Sequence, residues 1–331
     1  MVAQIDSNYI KTRPTKLISR MISYLLFEGR PLTTRGRWIN PLLFLLFAIL
    51  KRIPKLKNVK SPTFILGTGR SGTTILGIVL SMHKEVGFLN EPKALWHSIY
   101  KYEDLIGSYS REKASYRLDE NQATKIVIRN AQRLFSAYST TVLSSKVVDK
   151  YPELIFRLPF VLSIFKDAKF LFLVRNGWDT CHSIQKWSQR LGVESEGESH
   201  DWWGVNNRKW YLLLTQIVVE HEDLAEHVDT MMSWTNHVDM AAVEWIVTMR
   251  EGLKVSHEYP NEVLRIDYEN LCDNPRNVIK DICKFTDLKP DNIFMDYAEK
   301  TLQPVSKKDR LELSPLIERA FMDTMRALGY E

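Results

Sequence analysis

With 331 residues, 44% apolar and 26% charged, the chain holds enough apolar side chain for a packed core, which excludes a disordered or low-complexity class. The net charge of +5 is unevenly spread: residues 1–60 carry twelve Lys/Arg against Asp6 and Glu28, an excess of +10, so the remainder is mildly acidic. Three cysteines (Cys181, Cys272, Cys283), none in a CxxC pair, argue against a disulfide framework or a zinc site and favour a reducing compartment.

In chain order, residues 15–28 set Leu17, Ile18, Met21, Ile22, Leu25 and Leu26 on one helical face. After Pro31 and a basic turn (Arg35, Arg37) come Trp38 and an apolar run from Leu42 to Leu50, closed by Lys51 and Arg52. That run is shorter than the ~20 residues a bilayer crossing needs. The pattern suits a basic amphipathic extension over 1–60 that touches an anionic membrane surface through residues 15–57, or one that packs on the domain or across a homodimer. Leu, Ile and Phe between the cations, in place of polar and stacking groups, argue against nucleic acid. No secretory signal is read near Met1, so the expected compartment is the cytoplasm, with peripheral attachment to the inner membrane face as the refinement.

Strands are expected near 63–67, 86–89, 143–148, 169–174 and 262–267, with helical stretches between them. Such spacing implies right-handed crossovers and a parallel sheet, hence an α/β class. The first strand ends in Gly67-Thr68-Gly69-Arg70-Ser71-Gly72-Thr73-Thr74 and opens into helix-forming Ile75, Leu76, Ile78, Val79 and Leu80. Backbone N–H groups of a glycine loop and a helix N-terminus converge on phosphate in this arrangement. Gly67-x4-Gly72 has the spacing of a nucleotide-triphosphate loop, but Thr73 stands where that motif carries lysine, and the cation is displaced to Arg70. No apolar strand ending in Asp stands out to hold magnesium. These residues therefore read as a phosphate cradle without metal, and no metal site is expected.

The apolar run Lys169 to Val174 reads as a buried parallel strand. Arg175 follows at its carboxyl end, and Asn176-Gly177-Trp178-Asp179 starts a helix carrying Ser183. Ligands of open α/β sheets bind outside the carboxyl ends of strands, which puts Arg175 on the rim of the glycine loop.

Together these motifs resemble the sulfotransferases that use 3′-phosphoadenosine 5′-phosphosulfate (PAPS), and the likeness covers most of the chain beyond residue 61. The resemblance implies a P-loop-like three-layer fold with a central parallel sheet of about five strands and a sulfotransferase domain over 61–331. It implies that Gly67 through Thr74 hold the 5′-phosphosulfate and that Arg175 and Ser183 hold the 3′-phosphate. Asn90-Glu91-Pro92 lies where the tyrosylprotein and carbohydrate branches place a catalytic glutamate, so Glu91 is the candidate base, with His97 and Asp149 in reserve. Lys150-Tyr151-Pro152 resembles an element whose lysine reaches the transferring group. Tyr268 falls where the family's tyrosine lies near adenine, and Lys307 in a late, loosely matching cofactor-binding segment. Ile75 departs from the cytosolic members, which carry an aromatic there.

The stretch 187–260 holds Trp187, Trp202, Trp203, Trp210, Trp234 and Trp245, with acids at Glu194, Glu196, Glu198 and Asp201. It is expected to form helices and a loop, without strands, roofing a pocket for a hydroxyl acceptor: a carbohydrate, a glycolipid or a small metabolite. His200, His221, His227 and His237 lack metal spacing and read as surface or structural groups. Two other classes stay open at this level: a P-loop kinase of a small alcohol, and a catalytically silent membrane-docking adaptor on the same fold.

Overall fold

The computed structural model describes residues 2–31, 34, 36–195 and 197–330; Arg35 of the basic turn and Glu196 of the acidic stretch lie outside the described residues. Among the described residues, eight strands are formed: β1 Thr63–Gly67, β2 Val86–Asn90, β3 Lys146–Lys150, β4 Lys169–Val174, β5 Val193–Ser195, β6 Glu198–Asp201, β7 Gly204–Val205 and β8 Val263–Asp267. Five make the central sheet, in the order β2-β3-β1-β4-β8 with every pair parallel. Period-two alternation serves two cores. Phe64, Leu66, Phe170 and Phe172 face the helices that carry Trp96, Phe135 and Trp245. Ile65, Leu171 and Leu173 face those that carry Leu76, Val79 and Ile279. The expected α/β three-layer arrangement is what the chain adopts.

Two details differ from expectation. The strand placed at 143–148 begins at Lys146, because Leu143 sits at φ +51° and is 89% exposed in a turn. Lys150 is thus the last residue of β3, level with Asn90 of β2. Second, the Trp-rich stretch is not strand-free: β5, β6 and β7 form a small antiparallel sheet. These strands are two to four residues long and mostly polar, so neither an apolar run nor alternation announces them.

The extension is helical, at Ser7–Thr12, Thr15–Leu26 and Asn40–Leu50, and the helix Thr15–Leu26 turns its polar side inward. Its buried residues are Lys16, Arg20 and Ser23, while Ile18, Leu25 and Leu26 are exposed. The reason is the sheet edge. β2 is an outermost strand, and its free backbone groups need partners. Lys16 Nζ donates to the carbonyls of Lys84 and Val86 at 3.1 and 2.7 Å. The Arg20 guanidinium lies over the Phe88 ring at 5.2 Å. Glu28, ion-paired with Arg20, accepts the Asn90 N–H at 2.8 Å. Among the described residues, no helix is long and apolar enough to cross a membrane.

Candidate active site

The carboxyl ends of β1, β2 and β3 open onto one cavity of about 380 Å³. Its floor is the glycine loop. Gly72 holds φ +95°, and a Cβ there would sit 2.2 Å from the Tyr268 ring; a Cβ on Gly69 would sit 2.4 Å from the Trp202 ring. Both glycines let an aromatic ring close on the backbone. The Ser71 hydroxyl donates to the Thr68 carbonyl at 2.6 Å, and Thr73 and Thr74 start the helix Thr73–Ser81. The Thr68 hydroxyl is buried without a partner.

Arg70 stands in the left-handed region at φ +71°. Its Nε donates to Ser183 Oγ at 3.1 Å, and its carbonyl accepts from Arg175 Nη1 at 3.0 Å. Arg175 in turn lies over the Tyr268 ring at 4.6 Å, with its Nε unpartnered. Arg70, Arg175, Ser183 and Tyr268 therefore form one cluster. Burial pushes the Arg70 guanidinium below its usual value, the charges of Arg190 and Arg175 push it further, and Glu91 opposes them. Clustered cations around a backbone cradle, with unpaired donors, fit a polyanion such as PAPS. Lys307 stands apart: it is exposed on the segment before helix Pro315–Leu328, which the Lys308 N–H ties to Asp179 at 2.7 Å.

Glu91 follows β2 at φ +49°, and its N–H donates to the Lys150 carbonyl at 2.7 Å. A non-glycine in this region costs of order 1–3 kcal/mol, and here two such residues, Arg70 and Glu91, border the same cavity. The Glu91 side chain is 39% exposed, pairs with Lys150 Nζ and lies 3.6 Å from Lys93 Nζ. Burial alone would raise its pKa, but the ammonium groups of Lys150 and Lys93, the hydrogen bond from Lys150, and Lys209 hold the carboxyl well below its ordinary range.

Four further charges continue this chain, and no motif pointed to them. Lys93 lies 3.3 Å from Glu153, Glu153 lies 3.8 Å from Lys209, and Lys209 lies 2.5 Å from Glu244. Glu244 also accepts from Trp202 Nε1 at 2.6 Å. A lone acid in the apolar helical run Met240–Met249 was the available signal for Glu244, since an unpaired carboxylate is rarely buried. Trp187 and Trp202 meet edge to face in the cavity wall at 5.3 Å, whereas Trp203, Trp210 and Trp245 are core. His200, read from sequence as surface or structural, is buried in the cavity wall with Nδ1 unpartnered.

The two reserve bases are placed elsewhere. Asp149, one residue before Lys150 and so on the opposite face of β3, is fully buried and accepts from Trp96 Nε1 at 2.8 Å; burial pushes its pKa well above the usual value. His97 packs against Phe44 and Tyr109. Neither is among the residues that wall the cavity. The extension does wall it, through Tyr24, Glu28, Gly29, Arg30 and Pro31. Among the described residues, no group of three or more His, Cys, Asp or Glu gathers as a metal site.

Comparison with known proteins agrees with this geometry. The model of the Sulfotransferase family matches residues 62–292. A protein-tyrosine sulfotransferase of Drosophila melanogaster is 23% identical over 75% of this chain and 45% of its own length. Protein-tyrosine sulfotransferase 1 of Danio rerio is 22% identical over 78% of this chain and 64% of its own. The chain thus spans about half to two thirds of the length of these relatives. The sulfotransferase domain from the curacin biosynthetic pathway shares the fold, with a TM-score of 0.53 at 17% identity, covering 83% of this chain and 99% of that one.

Proposed function

The chain belongs to the sulfotransferase family, and from that premise we propose that it moves a sulfuryl group from PAPS to the hydroxyl of a carbohydrate, glycolipid or small metabolite, releasing adenosine 3′,5′-bisphosphate. One observation carries the reading: Arg70 and the Glu91–Lys150 pair line a single cavity, and Arg70 is hydrogen-bonded to Ser183 and Arg175 just beyond its wall. In it, the loop Gly67–Thr74 with Arg70, Ser71, Thr73 and Thr74 holds the phosphosulfate end. Arg175 and Ser183 hold the 3′-phosphate, and Tyr268 lies toward the adenine. Lys307 joins this set only if its segment moves inward.

The bound donor supplies the electrophilic sulfur and a phosphate oxygen that leaves as the acceptor oxygen bonds. Glu91 takes the acceptor proton on its carboxylate. A carboxylate paired with an ammonium is a poor base, so Glu91 gains basicity when another anion shares the Lys150 charge. Trp187 and Trp202 present ring faces that suit a sugar or an acyl group.

We assign donor chemistry to residues 61–331 and the membrane side to the extension 1–60, with the protein in the cytoplasm and residues 15–57 against the inner membrane face. The outward apolar side chains of the extension support that placement. Calorimetric titration tests the donor reading. Adenosine 3′,5′-bisphosphate is expected to bind with no effect of magnesium, and radiolabelled sulfate to pass from PAPS to an acceptor in a host extract. Preference for ATP with magnesium would replace the reading with a small-molecule kinase. Binding of neither nucleotide would leave a docking adaptor.

A further inference from the structure

We propose that the acceptor is an amphiphile presented at an anionic lipid surface, its hydroxylated head entering the cavity past the extension while its apolar part stays under helix Asn40–Leu50. The proposal rests on the sulfuryl-transfer reading above and names its acceptor.

Two faces of one segment carry it. Inward, Tyr24, Gly29, Arg30 and Pro31 wall the cavity that holds Glu91. The Arg30 guanidinium is stacked on the Tyr24 ring at 3.6 Å and donates to the Tyr24 and Gly29 carbonyls, which holds this wall in place. Outward, within a few residues of the same wall, Leu25, Leu26 and Trp38 are exposed. Trp38, at 77% exposure, leads into a stripe of exposed Leu42, Leu45 and Ile49 along helix Asn40–Leu50. These positions share one helical face by their spacing, while Leu43 and Phe47 are buried on the other. A soluble protein seldom leaves such a stripe uncovered without a partner.

Charge selects the occupant. Exposed Arg37 precedes the stripe, and exposed Arg52 and Lys55 follow it. The sequence contains no Asp or Glu between Glu28 and Glu85. An apolar strip bounded only by cations complements an anionic bilayer, where basic groups meet headgroups and the strip meets acyl chains. A second copy of this chain would instead bring the same cations toward their own equivalents. The cavity volume of about 380 Å³ suits a headgroup rather than a whole lipid.

The test uses the full chain. Sedimentation with phosphatidylglycerol-containing vesicles is expected to carry the protein down, with pure phosphatidylcholine vesicles carrying little and added salt weakening the association. Leu42→Glu with Leu45→Glu is expected to abolish sedimentation while leaving adenosine 3′,5′-bisphosphate affinity within about two-fold. Reversing Arg52 and Lys55 to Glu is expected to weaken vesicle binding by roughly ten-fold or more. Sulfuryl transfer to a bilayer-embedded glucosyl diacylglycerol is expected to exceed transfer to its deacylated head by roughly ten-fold, and Leu42→Glu/Leu45→Glu to erase that preference. A chain that binds the bisphosphate but ignores both vesicles overturns the proposal, as does a dimer that the double leucine variant splits. Vesicle binding without bisphosphate binding overturns the donor reading instead.

Discussion

The Glu28 carboxylate accepts the backbone N–H of Asn90 at 2.8 Å, one residue before Glu91. Glu28 also neutralises Arg20, and both side chains are nearly fully buried. The extension therefore holds the end of β2 from which the candidate base projects. Glu28→Ala would leave Arg20 buried without its carboxylate, a change that typically costs ~3–5 kcal/mol. Urea unfolding is expected to show a loss of that order, with Glu28→Gln milder. A loss below about 1 kcal/mol would show that the pair does not secure the strand end.

Arg175→Ala is expected to weaken adenosine 3′,5′-bisphosphate far more than adenosine 5′-phosphate. A charge-assisted contact of this kind is worth ~1.5–3 kcal/mol, or about one to two decades of affinity. Equal losses for both nucleotides in calorimetry would remove the 3′-phosphate from Arg175.

Glu91→Gln keeps the side chain's size but cannot take a proton, so transfer is expected to slow by ~10²-fold or more with donor binding near normal. His97→Asn is expected to leave the rate within a few-fold, because His97 packs against Phe44 and Tyr109 rather than walling the cavity. Initial rates at saturating PAPS separate the two. A silent Glu91→Gln beside a dead His97→Asn would reassign the base.

The Glu91–Lys150 pair sets a pH dependence of stability. The carboxyl is held below its usual 4.5 in the folded state, so the unfolded chain binds the proton first as pH falls. Its contribution is present above pH 4.5 and lost as pH drops through the lower folded value. The stability difference between wild type and Glu91→Gln is expected to be flat from pH 7 to 5 and to shrink below 4.5. Denaturant titrations across that range would show the trend, and a difference that grows on acidification would contradict the pairing.

Much of the fold was legible because its signals are local. The run Lys169 to Val174, the glycine loop after β1 and the apolar start of helix Thr73–Ser81 each announce themselves within a few residues, through period and turn chemistry. The strand end at Arg175 and the helix that carries Ser183 were readable for the same reason, and the structure joins both residues to Arg70. The short polar strands β5 to β7 carried no such signal, and β3 was displaced because Leu143 looks like a strand residue but occupies a turn.

By itself, the sequence determined the strands of the sheet, the glycine loop after the first of them and the cationic excess of residues 1–60, since each depends on neighbours along the chain. Only the tertiary structure decided which way the helix Thr15–Leu26 faces. Its periodicity left open whether Ile18 and Leu25 pack inward or face outward; the free edge of β2 draws Lys16 toward its carbonyls and Glu28, paired with Arg20, toward its amide, which leaves Ile18 and Leu25 outside. A buried backbone group without a partner costs more than an exposed leucine. That competition is settled between segments some sixty to seventy residues apart. The chain Lys93–Glu153–Lys209–Glu244 was hidden for the same reason: its charges are tolerable in a closed site only once distant segments pair them.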